Sequence, residues 1–255
     1  MCLIVFSLNP DKEHQFILSA NRDEFYERPT KEMHWWDTSP RILAGKDKSF
    51  NGAWMGINDE GRFAAVTNVR EFTDLSLSKY KLEDLNSRGD LVKDFLMSSL
   101  STKDYIKGTN GFKYQGFNLL LYDGTEACLS SNKGIELTFQ ENKVYAIGNK
   151  PFNHKSQKIK KVEKDFQKLI SEKFSSKDLI NLMKFPRSEP LKFSKEYTRE
   201  NHGREFPDRF IVSDIYGTRS TSSLIIDRSK GVFLEEQSFS NLGEEAVTNT
   251  FEFKY

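Results

Sequence analysis

The sequence has little cysteine: Cys2 and Cys128 are the two among 255 residues. Two cysteines cannot build a disulfide framework, and their spacing matches neither a metal site nor a redox pair. The chain has four histidines: His14, His34, His154 and His202. They show no pairing at metal-ligand spacing, and no CxxCH motif is present. We therefore expect a protein of a reducing compartment that uses no metal and no covalently attached haem.

An excess of one charge sign and long apolar runs are also absent. The 38 basic and 37 acidic residues give a formal net charge of +1, so no overall field attracts nucleic acid or an anionic membrane. The run from Leu3 to Leu8 is shorter than a signal-peptide core and lacks a basic flank, and no later run approaches the roughly 20 residues of a membrane span. We expect a cytoplasmic protein without membrane insertion or a nucleic-acid partner, which acts on a small molecule; the sequence specifies no oligomeric state.

The patterns that are present predict mostly strands, with helices in two blocks. Two strand-turn-strand units are predicted over 3–18 and 53–68, the second with Gly61 at its turn. Later strands are predicted at 116–122, 125–129, 135–139, 144–147, 209–212, 222–226 and 232–236. We expect the first four of these to form an antiparallel meander. Residues 186–208 are predicted as a long loop.

Helices are predicted where apolar residues repeat at intervals of three and four. They begin at Ser87, Ser101, about Lys155, and Ser175 or Ser176, and Pro186 stops the last one. With 37% hydrophobic residues, 255 residues can form one large core, so we expect a single domain over 1–255. Strands with helices in two blocks favour an α+β fold: a four-layer α-β-β-α sandwich of two antiparallel sheets.

Cys2 stands where removal of Met1 would make it the first residue. It would then carry both a thiol, with a pKa of about 8.5, and an α-amine, with a pKa of about 7.7–8.0, which suits a general base at neutral pH. One residue would supply nucleophile and base. The alternative is that Cys2 is a small buried residue of a core strand.

Polar residues follow the second strand in the segment SANRDEF. Asn21, Arg22, Asp23 and Glu24 would lie beside Cys2 if the first two strands pair, where they can orient its amine and bind a carboxylate. The alternative is a polar turn with a surface ion pair.

Asparagines and an arginine mark other strand ends. Asn68 and Asn149 each follow a predicted strand, where their amides can donate to an oxyanion or serve as ordinary turn residues. Arg219 precedes the predicted strand at 222–226.

Two other features are open to two interpretations. Trp35 and Trp36, in a predicted loop, could stack on a flat ligand such as haem or plug a core edge. The segment NHGREF at 201–206 could line a pocket or be a surface insertion, and the lysine-rich face of the helix after Lys155 is expected to be solvated surface.

The sequence resembles the NRDE family, also called the transport and Golgi organisation family. The motifs that carry this resemblance are Met1-Cys2, ANRDEF, NGAWMGINDEGRFAAVTNVRE, SRGDLV, GFNLLLYD, GNK and YGTRSTSSLIID. More distantly it is similar to the cysteine branch of the N-terminal-nucleophile hydrolases, the penicillin V acylase and bile salt hydrolase group.

This resemblance implies the four-layer α-β-β-α fold. It also implies that Cys2 is the nucleophile and that Asp23 binds the terminal amine. It further implies oxyanion donors at Asn68 or Asn149 and Arg219 supporting the cysteine. In those hydrolases an arginine usually lies three residues before the aspartate; here that position is Ala20, and either the nearby Arg22 or Arg219 would take the arginine role. The expected substrate contacts are Asn21, Glu24, Trp35, Trp36 and Asn118.

Two functions follow as expectations. The first is a cysteine amidohydrolase that acts on the carbon-nitrogen bond of a small acyl substrate without a cofactor. The second is a non-catalytic carrier, since the resemblance links family members to haem handling and to acyl-CoA or lipid metabolism.

Overall fold

Two antiparallel sheets organise the chain, whose computed structural model describes residues 2–69, 84–192 and 206–255. The strands are β1 (Cys2–Leu8), β2 (His14–Phe25), β3 (Thr30–Trp35), β4 (Ile42–Asp47), β5 (Met55–Asn58), β6 (Phe63–Asn68), β7 (Phe117–Tyr122), β8 (Ala127–Ser131), β9 (Ile135–Thr138), β10 (Val144–Ile147), β11 (Tyr216–Asp227), β12 (Gly231–Phe239) and β13 (Glu245–Lys254). The helices are α1 (Arg88–Met97), α2 (Thr102–Gly108), α3 (Gln157–Ile170) and α4 (Ser176–Lys184). The predicted α+β class is confirmed. The elements fall into two compact units.

The first unit comprises Met1–Arg28, Gln140–Gly148 and His154–Tyr255. Its sheet has the order β10-β1-β2-β11-β12-β13. Helices α3 and α4 pack on one face through a cluster that includes Leu3, Val5, Ile17, Ile159, Val162, Phe166, Leu179 and Met183. Each fully buried side chain of this kind contributes about 1.5–3 kcal/mol. The predicted helices are confirmed: Ser175 forms a capping box with Asp178, and α4 ends before Pro186.

Side-chain alternation in β1 and β2 decides which residues face the helices. Leu3 and Ile17 belong to the cluster under α3 and α4, and the Ser19 hydroxyl donates to the Leu179 carbonyl at 2.8 Å. Because successive side chains of a strand point to opposite faces, even-numbered residues of these strands face away from the helices. Cys2 and Arg22 therefore share the face opposite α3 and α4.

The second unit comprises Pro29–Phe139 and Asn149–Asn153. Its sheet runs β3-β4-β5-β6-β7-β8-β9 in chain order. Helices α1 and α2 cover one face through a cluster that includes Ala64, Val66, Leu91, Val92, Phe95, Leu119, Leu121 and Cys128. Ser87 caps α1, and Gly61 has a φ of 80° in the β5–β6 turn, both as predicted.

Three parts of the strand prediction are wrong. The meander ends at β9, because β10 joins the other sheet, where Ile147 pairs with Ile4. Residues 209–212 form no strand; Phe210 makes only an isolated bridge, to Arg187. Strands β3, β4 and β13 were not predicted. The single-domain assignment stays a prediction. No helix among the described residues is long and apolar enough to cross a bilayer.

Candidate active site

Cys2 begins β1 opposite Arg22 of β2. Residues paired in this way have Cα atoms about 4.5–5.5 Å apart and side chains on the same face. The residue as a whole is half-buried. Burial raises the pKa of its thiol, and the Asp23 charge adds to this, whereas the Arg22 charge and the Asp23 backbone amide act to lower it. The thiol is therefore kept protonated unless a base is close to it.

Asp23 is a buried carboxylate with a 2% exposed side chain. The Thr218 hydroxyl donates to its Oδ1 atom at 2.7 Å, while the same hydroxyl accepts from the Ile211 amide at 2.9 Å. The Tyr216 hydroxyl donates to the Asp23 carbonyl at 3.1 Å. Burial raises the pKa of Asp23. These contacts with β11 hold the carboxyl group in one orientation, and its charge acts on the Cys2 thiol.

Arg219 sits at a β-bulge of β11, where the pairing with β2 shifts between Thr218 and Ser220. Such an extra residue re-aims side chains locally. Its Nη1 atom donates to three carbonyls, those of Phe25, Tyr26 and Arg28, at 3.0, 3.2 and 3.3 Å. Burial lowers the pKa of Arg219, and the Arg22 charge lowers it further. These hydrogen bonds from Arg219 stabilise the turn after β2. The role of Arg219 in supporting Cys2 stays a prediction.

Glu24 completes the charged group at this end of β2. Its Oε1 accepts from the Phe25 amide at 2.9 Å, and its Oε2 lies 3.9 Å from Nε of Arg28. Burial acts to raise the pKa of Glu24, but positive charges including Arg22 and Arg28, together with the Phe25 amide, lower it overall. Glu24 is therefore ionised at neutral pH.

Asn21 lies on the opposite, helix-covered face. Its Nδ2 donates to the carbonyls of Met183 and Arg209, both at 2.9 Å, and its Oδ1 accepts from the Thr221 hydroxyl at 2.6 Å. These bonds tie β2 to the segments around it. We assign Asn21 a structural role in this layer.

The predicted asparagines of the second unit come together at one end of β6 and β7. The Asn149 amide donates to the Asn68 carbonyl at 2.8 Å. Asn118 pairs with Thr67, and its amide donates to the Lys150 carbonyl at 2.9 Å. Within the described residues, the half-buried Asn68 side chain makes no hydrogen bond. Its role as an oxyanion donor stays a prediction.

The two tryptophans have different surroundings. Trp35 lies on β3, not in the predicted loop, and the Arg41 guanidinium lies 4.8 Å from its ring centroid. Trp36 belongs to the core beneath α1, and its Nε1 donates to the Ala44 carbonyl at 3.0 Å. The core interpretation holds for Trp36, which is 7% exposed.

Sequence reasoning missed Thr218 and Tyr216 as partners of Asp23. Both belong to the YGTRSTSS segment, and the signal that could have found them is the pairing of that strand with β2. Residues 201–205 of the NHGREF segment lie outside the described residues, as does Met1. Over the ranges that the structure describes, no three His, Cys, Asp or Glu side chains gather as metal ligands.

The sequence profile of the family "Transport and Golgi organisation 2" matches residues 1–241. The chain belongs to this family. It is 27% identical to the Mus musculus "Transport and Golgi organization 2 homolog" over 99% of each chain. It is 34% identical to the Bos taurus homologue over 56% of this chain and 51% of that protein.

Among solved structures, the chain is similar to the Caenorhabditis elegans N-acylethanolamine-hydrolyzing acid amidase orthologue. The TM-score is 0.55 with 10% identity, over 88% of this chain and 92% of that chain. At this identity the likeness shows the fold alone. The resemblance to the NRDE family and the expected N-terminal-nucleophile hydrolase fold are both confirmed.

Proposed function

We propose that this member of the Transport and Golgi organisation 2 family is an N-terminal-nucleophile cysteine amidohydrolase. Its reaction is cleavage of the amide bond of a small acyl substrate in the cytoplasm. The observation that carries the proposal is the placement of Cys2 opposite Arg22, with the buried Asp23 carboxyl group as the next residue of β2.

The proposed reaction begins after removal of Met1, when Cys2 carries the free amine. The amine takes the thiol proton, and the thiolate attacks the carbonyl carbon to form a C–S bond. As the tetrahedral intermediate collapses, the C–N bond breaks and the protonated amine returns its proton to the leaving nitrogen. Water, activated by the same amine, then hydrolyses the thioester. No metal or redox cofactor takes part.

Other residues have supporting roles in this proposal. The negative charge of Asp23 orients and stabilises the protonated amine, since the Thr218 hydroxyl holds the carboxylate in place. The family resemblance supports Asn68 and Asn149 as the oxyanion donors in this proposal. A neighbour of the same fold that is named as an acid amidase supports the choice of an amide bond.

The test uses protein whose N-terminus has been verified by intact mass, a panel of N-acyl amides, and the variants Cys2→Ala and Cys128→Ala. We expect Cys2→Ala to abolish hydrolysis and Cys128→Ala to retain it, because Cys128 is 2% exposed in the core beneath α1 and α2. Retention of Met1 on the functional protein would contradict the proposal. Tight binding of haem or an acyl thioester without hydrolysis of any amide would identify a carrier instead.

A further inference from the structure

Arg22 is a largely buried arginine of the first unit. The residue is 7% exposed, and within the described residues its guanidinium makes no hydrogen bond and no ion pair within 4 Å. Arg209, 3% exposed in the same unit, donates to the Leu182 carbonyl at 3.0 Å and forms an ion pair with Asp165. Buried charges are normally paired. No Arg22 nitrogen is among the fully buried polar atoms without a partner, so the guanidinium reaches the surface, where a ligand can contact it.

The position of Arg22 suggests what the guanidinium is for. Arg22 pairs with Cys2 across one side of β2 and with Ser220 across the other. Its charge acts on the pKa values of Cys2, Glu24 and Arg219, so its guanidinium lies within electrostatic reach of all three groups. A ligand held by Arg22 would therefore lie close to the thiol.

Among the described residues near Cys2, Arg22 is a cation whose donors make no hydrogen bond, and the Lys158 charge also acts on Asp23. The Nη1 atom of Arg219 donates to three carbonyls, and the charges of Arg22 and Arg28 both lower the pKa of Glu24. A guanidinium presents donors in a planar fork that matches two oxygens of a carboxylate or phosphate. The local charge is thus suited to an anionic oxygen group.

We propose that Arg22 binds a carboxylate or phosphate group of the substrate and thereby positions its amide carbonyl at Cys2. The substrates are then anionic N-acyl compounds. This inference rests on the proposed amidohydrolase function for its kinetic consequence, although anion binding itself does not require turnover. The competing role for Arg22, direct support of the Cys2 thiolate, would affect charged and neutral substrates alike.

The kinetic test compares three compounds with the same acyl chain: an N-acyl amino acid, an N-acylethanolamine phosphate and the neutral C-terminal amide of the first. The variants are Arg22→Gln and Arg22→Lys. Arg228→Gln is the matched control, because that exposed guanidinium donates to the Asp11 carbonyl elsewhere in the unit.

We expect Arg22→Gln to lower kcat/KM roughly 10- to 10³-fold for one or both anionic compounds and less than about threefold for the neutral one. Arg22→Lys should recover part of the loss. The anionic compound with the higher kcat/KM shows whether the site prefers a carboxylate or a phosphate.

Equal losses on all three compounds would overturn the inference and assign Arg22 to the nucleophile. A second measurement avoids dependence on turnover: calorimetric binding of the same compounds to Cys2→Ala protein, with and without Arg22→Gln. The protein could bind the anionic compounds, lose that binding with Arg22→Gln, and yet hydrolyse none of them. That result would support the anion site and refute the proposed amidohydrolase function. Affinities that are the same for charged and neutral compounds would refute the anion site.

Discussion

Asp23→Asn should separate chemistry from folding, because the substitution keeps the shape of the side chain and removes its charge. The asparagine carbonyl can still accept the 2.7 Å hydrogen bond from the Thr218 hydroxyl. A neutral acceptor replaces a charged one, which costs about 0.5–1.5 kcal/mol. Removing a buried charge also removes the cost of taking that charge out of water. This second effect raises the free energy of unfolding.

The direction of the second effect follows from the raised pKa of Asp23. A carboxyl group whose pKa is higher in the folded than in the unfolded state destabilises the fold once it ionises. Wild-type stability should therefore fall as the pH rises from the unfolded pKa, near 4, towards the folded pKa, and Asp23→Asn should not share this loss. The two effects oppose each other, so we expect a net change within about 1 kcal/mol at neutral pH.

Turnover should respond very differently. Loss of the charge that orients the protonated amine should lower kcat by about 10²–10⁴-fold, as for other oriented acid-base pairs. Urea unfolding at pH 5 and pH 7, together with amide hydrolysis rates, measures both quantities. Asp165→Asn is the control, because it removes the charge opposite the buried Arg209. Asp165 is 40% exposed, so this variant should lose only about 1–3 kcal/mol, and it should keep its turnover.

Asp23→Asn would refute this reasoning in either of two ways. If it loses more stability than Asp165→Asn, Asp23 is a structural residue. If it retains full turnover, Asp23 does not hold the amine.

Three further measurements test other residues. Iodoacetamide at neutral pH should alkylate Cys2 before Cys128 in processed protein, because Cys128 is 2% exposed; equal rates by mass spectrometry would argue against an activated nucleophile. Leu18→Ala should cost about 2–5 kcal/mol in chemical unfolding, as Leu18 is 0% exposed, and a cost near zero would place it outside the core. Asn149→Ala should lower turnover roughly 10²- to 10³-fold with little change in ligand affinity, whereas an unchanged kcat would remove Asn149 from the oxyanion donors.

The elements that sequence reasoning predicted well have local signals. The β1–β2 hairpin has two apolar runs around a turn, and α3 has apolar residues on one face with Ser156 accepting from the Ile159 amide at 3.3 Å. In both cases the signal lies within a few residues of the element itself. Local sequence is therefore sufficient to predict them.

The elements that were missed depend on distant partners. Strand β13 is exposed along most of its length, so it lacks the buried apolar run that marks a strand. Strand β10 resembles its neighbours in sequence. It pairs with β1 instead of β9, and its Ala146 packs in the cluster under α3 and α4. The candidate site follows the same division: Asn21 to Glu24 form one motif, whereas the Thr218 contact with Asp23 spans 195 positions.

That long span has a consequence for the order of events during synthesis. A ribosome that adds about 5–20 residues per second needs roughly 10–40 s to pass from Asp23 to Thr218. During this interval β2 has no β11 beside it, and the Asp23 carboxyl group lacks the hydroxyl that later holds it. The nascent chain therefore carries an unassembled thiol site until β11 arrives. Removal of Met1, which the proposed function requires, would have this whole interval in which to occur.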